Sequence, residues 1–444
     1  MELKKVLPLS AKINEKGHLE IGGCDTVELV EHYGTPLFVY DELTLRKNME
    51  RYRLAFSQHT QNYEIIYAGK AFMCLALCEI LKEERLSLDV SSGGEIYTAW
   101  KAGFPLKNCY FHGNNKTPDE IRLALNLGVG RFVVDSFCEM DLLEELSSEV
   151  DKQVEVLIRV TPGILPSTHA YIQTGQVDTK FGFGLSGNLA LQALQKLLEG
   201  YPHLKPVGLH IHIGSQIFVL HSFVKAIEVI VDFMKEANEK LGFECGELDL
   251  GGGLGISYQV SDEPSTIEEF VKLVVEKVRE ETEKKNLPFP KIMVEPGRSI
   301  VGQAAVTLYR VGTIKEIPGV RTYISVDGGM SDNLRPMLYG AVYEALIANR
   351  AGERPTSRIT IAGKHCESGD ILIKDAYLPM PRVGDILCTP STGAYGYAMA
   401  NNYNRQPRPG VILVKEGRAK AIIRRETYDD LIRLDEPYLK NWEV

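Results

Sequence analysis

The sequence predicts a (β/α)8 barrel of the α/β class followed by an antiparallel β domain that the N-terminal segment joins. Three observations carry this. Between about residues 41 and 300, eight short apolar runs alternate with longer amphipathic stretches, the pattern of a parallel barrel. Beyond about residue 300 the runs become short, rich in β-formers and punctuated by Gly, Pro and Asp. The chain, at 444 residues, is also too long for one ordinary core.

The barrel strands are expected at 63–68, 87–90, 109–112, 131–134, 154–160, 207–212, 247–250 and 291–294, with helices at 75–84, 118–127, 223–241 and 267–285 between them. A ninth run at 37–40 precedes the first complete unit and is assigned to the other domain. The β domain takes runs at 304–311, 322–326, 358–361, 371–378, 385–389 and 411–414, with 19–21 near the N-terminus as a further member. The domains are therefore placed at 1–40 (strands joining the β domain), 41–300 (barrel) and 301–444 (β domain). No internal repeat or low-complexity stretch interrupts them.

Composition narrows the function. Hydrophobic residues make up 44% and charged residues 25%, the balance of a soluble globular protein. The net charge of −9 has its signs interleaved, and no basic block points to nucleic acid or an anionic membrane. The first 23 residues carry charges throughout and no apolar core, so no signal peptide is expected, and no run has the length of a membrane span. The eight cysteines lack disulfide or zinc spacing, and Cys74 and Cys78 read as buried thiols on one helix. A reducing cytoplasm fits.

Chemistry in a barrel enzyme collects at the C-terminal strand ends, and polar residues recur there. Successive ends carry Lys70, Asp89, His112, Asp135, Arg159, His210 with His212, the run Gly251-Gly252-Gly253-Leu254-Gly255, and Glu295-Pro296-Gly297-Arg298. Lys70, after Tyr67-Ala68-Gly69, suits a Schiff base with a carbonyl, although a surface lysine at a loop start remains the alternative. The glycine run can approach a phosphate closely and offer backbone N–H groups; a plain tight turn is the competing reading. It is no dinucleotide fingerprint, because the sixth positions counted from Gly251 and Gly253 are Ile256 and Tyr258. Glu295 can face a pyridine nitrogen and keep it protonated. His210 and His212 sit as a metal pair would, but no third ligand has suitable spacing and no metal is expected. His212 is better used stacked on a planar cofactor, with Ser215 donating to a phosphate oxygen.

Together these segments resemble the fold-type III pyridoxal-phosphate decarboxylases, which pair an alanine-racemase-like barrel with a β domain. The likeness spans nearly the whole chain. Tyr67-Ala68-Gly69-Lys70-Ala71-Phe72 matches the lysine segment, and His210-Ile211-His212-Ile213-Gly214-Ser215-Gln216 the stacking-histidine segment. Leu250-Gly251-Gly252-Gly253 and Glu295-Pro296-Gly297-Arg298 match the phosphate loop and the pyridine-nitrogen glutamate. Within that group, several segments resemble the diaminopimelate decarboxylases rather than the ornithine enzymes. These are Ser91-Ser92-Gly93-Gly94-Glu95, His112-Gly113-Asn114-Asn115-Lys116, Asp327-Gly328-Gly329-Met330-Ser331-Asp332-Asn333-Leu334-Arg335-Pro336, Cys366-Glu367-Ser368-Gly369-Asp370 and Thr392-Gly393-Ala394-Tyr395-Gly396-Tyr397-Ala398-Met399.

The resemblance implies pyridoxal 5′-phosphate on Lys70, with His212, Ser215, Gly252, Gly253, Glu295, Pro296, Gly297, Arg298 and Tyr395 around it. It implies Cys366 as proton donor. Arg298, Arg335 and Tyr339 would hold the distal carboxylate of meso-diaminopimelate, Glu367 its distal ammonium, and Tyr395 would touch phosphate and substrate alike. Two arginines suit a carboxylate that they can grip bidentately. The reaction would yield L-lysine and CO2, the last step of lysine biosynthesis, in a homodimer with Cys366–Glu367 across its interface. One departure stands out: Gly363-Lys364-His365 precedes Cys366 where the family usually has Gly-Pro and an apolar residue, a basic pair able to alter the thiol's pKa. A decarboxylase for arginine, ornithine or a carboxylated polyamine is the enzymatic alternative. A racemase is disfavoured by the anionic Glu295, and a non-catalytic carrier by the joint presence of Lys70, His212, Cys366 and Tyr395.

Overall fold

The computed structural model describes residues 2–164 and 178–437. The chain divides into two compact units, one of residues 44–257 and 261–303, the other of 1–43, 258–260 and 304–444. The last seven residues of the expected β domain, 438–444, lie outside the described residues.

The chain opens with a three-stranded sheet, β1 (Lys12–Ile13), β2 (Leu19–Ile21) and β3 (Cys24–Asp25), each paired antiparallel to the next. Asp25 caps α1 (Thr26–Tyr33) by accepting from the Val27 N–H. β4 follows at Leu37–Asp41, with all five residues buried.

After α2 (Glu42–His59) the barrel strands run β5 (Tyr63–Ala68), β6 (Ser87–Val90), β7 (Cys109–Phe111), β8 (Arg131–Val134), β9 (Val154–Thr161), β11 (Leu204–His210), β12 (Glu247–Asp249) and β13 (Lys291–Val294), with the two-residue β10 (Phe183–Gly184) beside β9. Neighbours pair in parallel, and β13 returns to β5 to close the ring. The strands read as continuous apolar runs because both faces are covered. Ile66, Tyr110, Val133, Leu157 and Met293 form one buried cluster within it.

The intervening helices start where the sequence caps them. Capping boxes at Thr117–Glu120 and Thr266–Glu269 open α5 (Pro118–Leu127) and α9 (Ile267–Lys284), and Gly128 closes the first at φ 75°. The others are α3 (Leu75–Glu83), α4 (Gly93–Lys101), α6 (Phe137–Glu149), α7 (Leu189–Gly200) and α8 (His221–Leu241). No helix among the described residues is long and apolar enough to cross a membrane. A layer of ion pairs marks the N-terminal strand ends: Arg131 bridges Glu155 and Glu247, and Lys291 bridges Glu247 and Glu64. Chemistry is left to the opposite end.

The second unit centres on a sheet in the order β18-β17-β15-β14-β4-β20-β21. Its strands after the barrel are β14 (Ala305–Ile317), β15 (Arg321–Val326), β16 (Leu346–Ile347), β17 (Ser357–Ala362), β18 (Ile371–Leu378), β19 (Ile386–Thr389), β20 (Gly410–Lys415) and β21 (Arg418–Ile423). The sheet is mostly antiparallel, but two junctions are parallel: β4 with β20 and β15 with β17. A parallel pair requires a long connection. The first spans most of the chain, and the second runs through α11 (Arg335–Tyr339). The 37–40 run therefore lies in the middle of this sheet. The 19–21 run keeps its own small sheet, and its Leu19 and Ile21 share a core with Val39, Val306, Leu308, Ile412 and Val414.

One motif residue has a purely structural position. Lys116 is buried and donates to Gly113 O and Val133 O, both at 2.8 Å, and to Glu139 Oε1 at 2.6 Å. Glu139 Oε2 in turn accepts from the Asp135 N–H. The pair pins the loop after β7, which carries His112, to β8 and α6. Lys116→Met should lower barrel stability by about 3–5 kcal/mol, since it leaves a buried carboxylate unpaired. Adding Glu139→Leu should recover most of that loss in urea denaturation followed by far-ultraviolet circular dichroism.

Candidate active site

The eight strand ends converge on a buried carboxylate. Glu295, one residue past β13, lies 2.8 Å from His112 Nε2 through Oε1 and 3.3 Å from His210 Nε2 through Oε2. The two imidazoles meet edge to face with centroids 5.0 Å apart. Burial alone would push the Glu295 carboxyl up, but the two imidazoles outweigh it and hold it well below the usual carboxylate range. His112 answers in kind: burial pulls it down, and the charges of Glu295 and Asp89 override that and raise it. His210 is pushed down to about 4, chiefly by burial. The pocket floor is thus a carboxylate held low between two imidazoles that burial and charge shift in opposite directions.

Asp249, at the end of β12, is a second buried carboxyl beside Glu295. It is fully buried, and burial together with the Glu295 charge raises its carboxyl well above the usual value. Its Oδ1 accepts from the Gly251 N–H at 2.8 Å, which ties this carboxyl to the glycine run.

Lys70 lies on the turn after β5, with its ammonium 3.5 Å from Asp89 Oδ2 and its side chain about half exposed (47%). Asp89 lies 3.9 Å from His112 Nε2, so Lys70 and Glu295 are linked through charged neighbours. His212 falls past the end of β11 rather than on it, and its Nδ1 accepts from the Gly252 N–H at 3.2 Å. An accepting Nδ1 requires a neutral ring, and burial first, then Lys70, lowers its pKa well below the ordinary value. The rings of His210 and His212 serve different partners, Glu295 and the Gly252 N–H. His210, His112 and Glu295 do bring ligating atoms within 4.8 Å of one another, as a metal site would, but the carboxylate is already engaged by both rings.

The glycine run is a tighter cradle than its sequence shows. The N–H groups of Gly251, Gly252 and Gly255 go to Asp249, His212 and Ile217 O. Among the described residues, the N–H groups of Gly253 and Leu254 donate to no protein group, and they are the two members of the run left over. A Cβ at Gly252 would lie 2.1 Å from Glu295 O, and one at Gly253 would lie 2.3 Å from Gly214 O. No larger residue fits. Arg298 Nη2 donates to Ser215 Oγ at 2.8 Å beside the cradle, and Pro296 and Gly297 are buried with it.

The β unit gathers the remaining candidates. Arg335 opens α11, is buried, donates to Tyr343 OH at 2.5 Å and lies 4.6 Å above the Tyr258 ring. Tyr339 ends the same short helix. Tyr258 and Tyr343 went unpredicted, although Tyr343 stands only four residues beyond Tyr339. Cys366 and Glu367 are exposed at the turn between β17 and β18, with the Cys366 N–H on Asn404 Oδ1 at 2.9 Å. His365 turns inward, its Nδ1 2.7 Å from Asp370 Oδ2, so the expected basic pair flanking the thiol is one exposed lysine and one buried, paired imidazole. Tyr395 sits at φ 58°, a strained backbone for a non-glycine residue and a frequent mark of functional positions.

Residues 44–302 match the family described as the pyridoxal-dependent decarboxylases, pyridoxal binding domain. A diaminopimelate decarboxylase of Halalkalibacterium halodurans is 49% identical over 98% of this chain and 99% of its own length. That of Bacillus subtilis is 48% identical over 97% and 98%. The crystal structure of diaminopimelate decarboxylase from M. jannaschii superposes with a TM-score of 0.90 at 34% identity over 97% of this chain and 98% of that one, and a further structure of it contains L-lysine.

The raised His112 gives this cage a pH signature. A group that holds its proton more tightly when folded stabilises the fold fully below its unfolded pKa, about 6.5, and loses that contribution as pH rises through the folded value. His112→Gln should therefore cost more stability near about pH 6 than near about pH 9, by about 1.4 kcal/mol per unit of elevation. Urea midpoints at both pH values read this directly. Equal losses would mean that His112 is neutral in the folded protein.

Proposed function

Because the chain belongs to the pyridoxal-dependent decarboxylases, and among them to the diaminopimelate decarboxylases, we propose that it converts meso-2,6-diaminopimelate to L-lysine and CO2. The observation that carries this is the ionised Glu295 on the floor of a barrel mouth that also presents Lys70. A cationic residue there would weaken the electron sink and favour racemisation.

The donor set fits pyridoxal 5′-phosphate. Bound, the cofactor supplies an electron sink for the pair left when CO2 departs. Lys70 provides the amine that anchors its aldehyde, and Asp89 keeps that amine at the strand end. Glu295 holds a proton on the ring nitrogen, since an adjacent anion favours the cationic form. His212, neutral and partly buried, offers a flat apolar face to the ring. Gly253, Ser215 and Arg298 serve the phosphate, with Gly252, Pro296 and Gly297 shaping the cradle and Tyr395 as a further phosphate contact.

Cys366 delivers the proton that replaces CO2 on the substrate's α-carbon. Arg335, Arg298 and Tyr339 read the distal carboxylate, and Glu367 the distal ammonium. Arg335 suits this role because Tyr343 and Tyr258 fix its guanidinium before substrate arrives, which lowers the ordering cost of binding. Ornithine and arginine lack a distal carboxylate. A homodimer in the cytoplasm is the proposed working state; the free cysteines are consistent with that compartment.

Purified protein should release CO2 from meso-diaminopimelate in preference to arginine or ornithine, and borohydride reduction should fix the cofactor on Lys70. Release from the wrong substrate, or label on another lysine, would overturn the assignment. Arg335→Ala should raise KM for diaminopimelate by the equivalent of about 1.5–3 kcal/mol, the range of a charge-assisted hydrogen bond. It should hardly alter residual turnover of a monocarboxylate diamine. Equal losses on both would place the arginine in the fold rather than in recognition.

A further inference from the structure

Asp370 ends the Cys366-Glu367-Ser368-Gly369-Asp370 motif, yet nothing in the mechanism above uses it. It is buried (2% exposed) and its carboxylate is saturated by two different segments. Oδ2 accepts from the His365 N–H at 2.9 Å and pairs with His365 Nδ1 at 2.7 Å. Oδ1 accepts from the Met330 N–H at 2.8 Å. Two glycines permit this approach: a Cβ at Gly329 would lie 2.5 Å from Asp370 Oδ2 and 2.7 Å from His365 Nδ1, and one at Gly363 would lie 2.1 Å from Asp370 Oδ2.

The backbone repeats the same link. The Lys364 N–H donates to Gly328 O and the Gly363 N–H to Asp370 O, both at 2.9 Å. A third segment closes over the pair. Tyr403 stacks on the His365 ring at 6.0 Å and 18°, Asn404 Oδ1 accepts from the Cys366 N–H, and the Asn401 N–H donates to Ser331 O at 2.8 Å. Three segments therefore meet at one His–Asp pair: 328–335, ending in Arg335; 363–370, carrying Cys366 and Glu367; and 401–404.

We propose that Asp370 and His365 are positioning residues that set the Cys366–Glu367 turn in register with the Arg335 segment, an inference that rests on the decarboxylase reading above. Cys366 and Glu367 are exposed in the single chain, so the path on which each chain presents them depends on what holds the base of the turn. A buried carboxylate held by three hydrogen bonds is a rigid anchor, and a reacting group displaced by about 1 Å can lose about 100-fold in rate. His365 thus supplies the donor that Asp370 needs, and the departure before Cys366 becomes part of the anchor rather than a perturbation of the thiol.

The test compares wild type with Asp370→Asn, His365→Leu and His365→Asn, the last placing an amide donor where Nδ1–H stands. Four readouts are taken: melting temperature, cofactor absorbance, kcat and KM for meso-diaminopimelate, and the alkylation rate of the Cys366 peptide by iodoacetamide. Asp370→Asn and His365→Leu should keep cofactor absorbance, lose roughly 10–100-fold in kcat with a higher KM, and alkylate at a changed rate. His365→Asn should restore most of kcat. Wild-type kcat, KM and alkylation in both damaging variants, with only the melting temperature lowered, would overturn the proposal. If Asp370→Asn does not fold, the His365→Leu and His365→Asn pair decides alone. Failure of wild type to decarboxylate diaminopimelate would sink the functional reading instead, and the alkylation rates would still judge the anchor.

Discussion

The parallel pairing of Ile292–Val294 with Tyr63–Ile65 closes the barrel, and the chemistry of its mouth depends on that closure. In an open sheet these would be opposite edges, and Glu295 would have no reason to lie near Lys70 or His112. Closed, the ring forces polar ends from different strands into one small volume. A lone carboxylate there would be neutral. It stays charged because the His112 and His210 imidazoles hold it low, while burial and the Glu295 charge raise the carboxyl of Asp249, at the end of the preceding strand and next to it in the ring. One strand pairing thereby brings together the charged groups of the barrel mouth.

Much of the barrel was legible because its strands are covered on both faces and so appear as unbroken apolar runs. Lys70, Glu295 and His212 were legible as polar residues placed where such runs end. Asp249 obeys the same rule, but the glycines that follow it are the stronger local signal. What no local pattern encodes is partnership. Nothing in the residues around 210 says that His210 will face Glu295 and His212 a glycine N–H, since that follows from strand order. The parallel junctions of the β unit were hidden for the same reason, and β21, with its exposed Arg418 and Lys420, hardly reads as a strand at all.

The glycine run has a second physical reason to be small. Its small residues were expected to free N–H groups for a phosphate. Three of those groups instead lock the loop to Asp249, His212 and Ile217, which makes the cradle stiff. A rigid cradle with two donors left over would bind an anion at a lower ordering cost than a mobile loop with five.

The position of β4 has a consequence for synthesis. Leu37–Asp41 is wholly buried between β14 and β20, and both partners are made only after the entire barrel has been translated. At about 5–20 residues per second, roughly 15–50 s pass between the emergence of β4 and that of β14. Throughout that interval the nascent chain carries an apolar strand with two unpaired edges next to a barrel that can already fold. Such an exposed apolar strand is a template for wrong pairing, and the maturation of the second unit is tied to chain completion rather than to the intrinsic speed of its sheet.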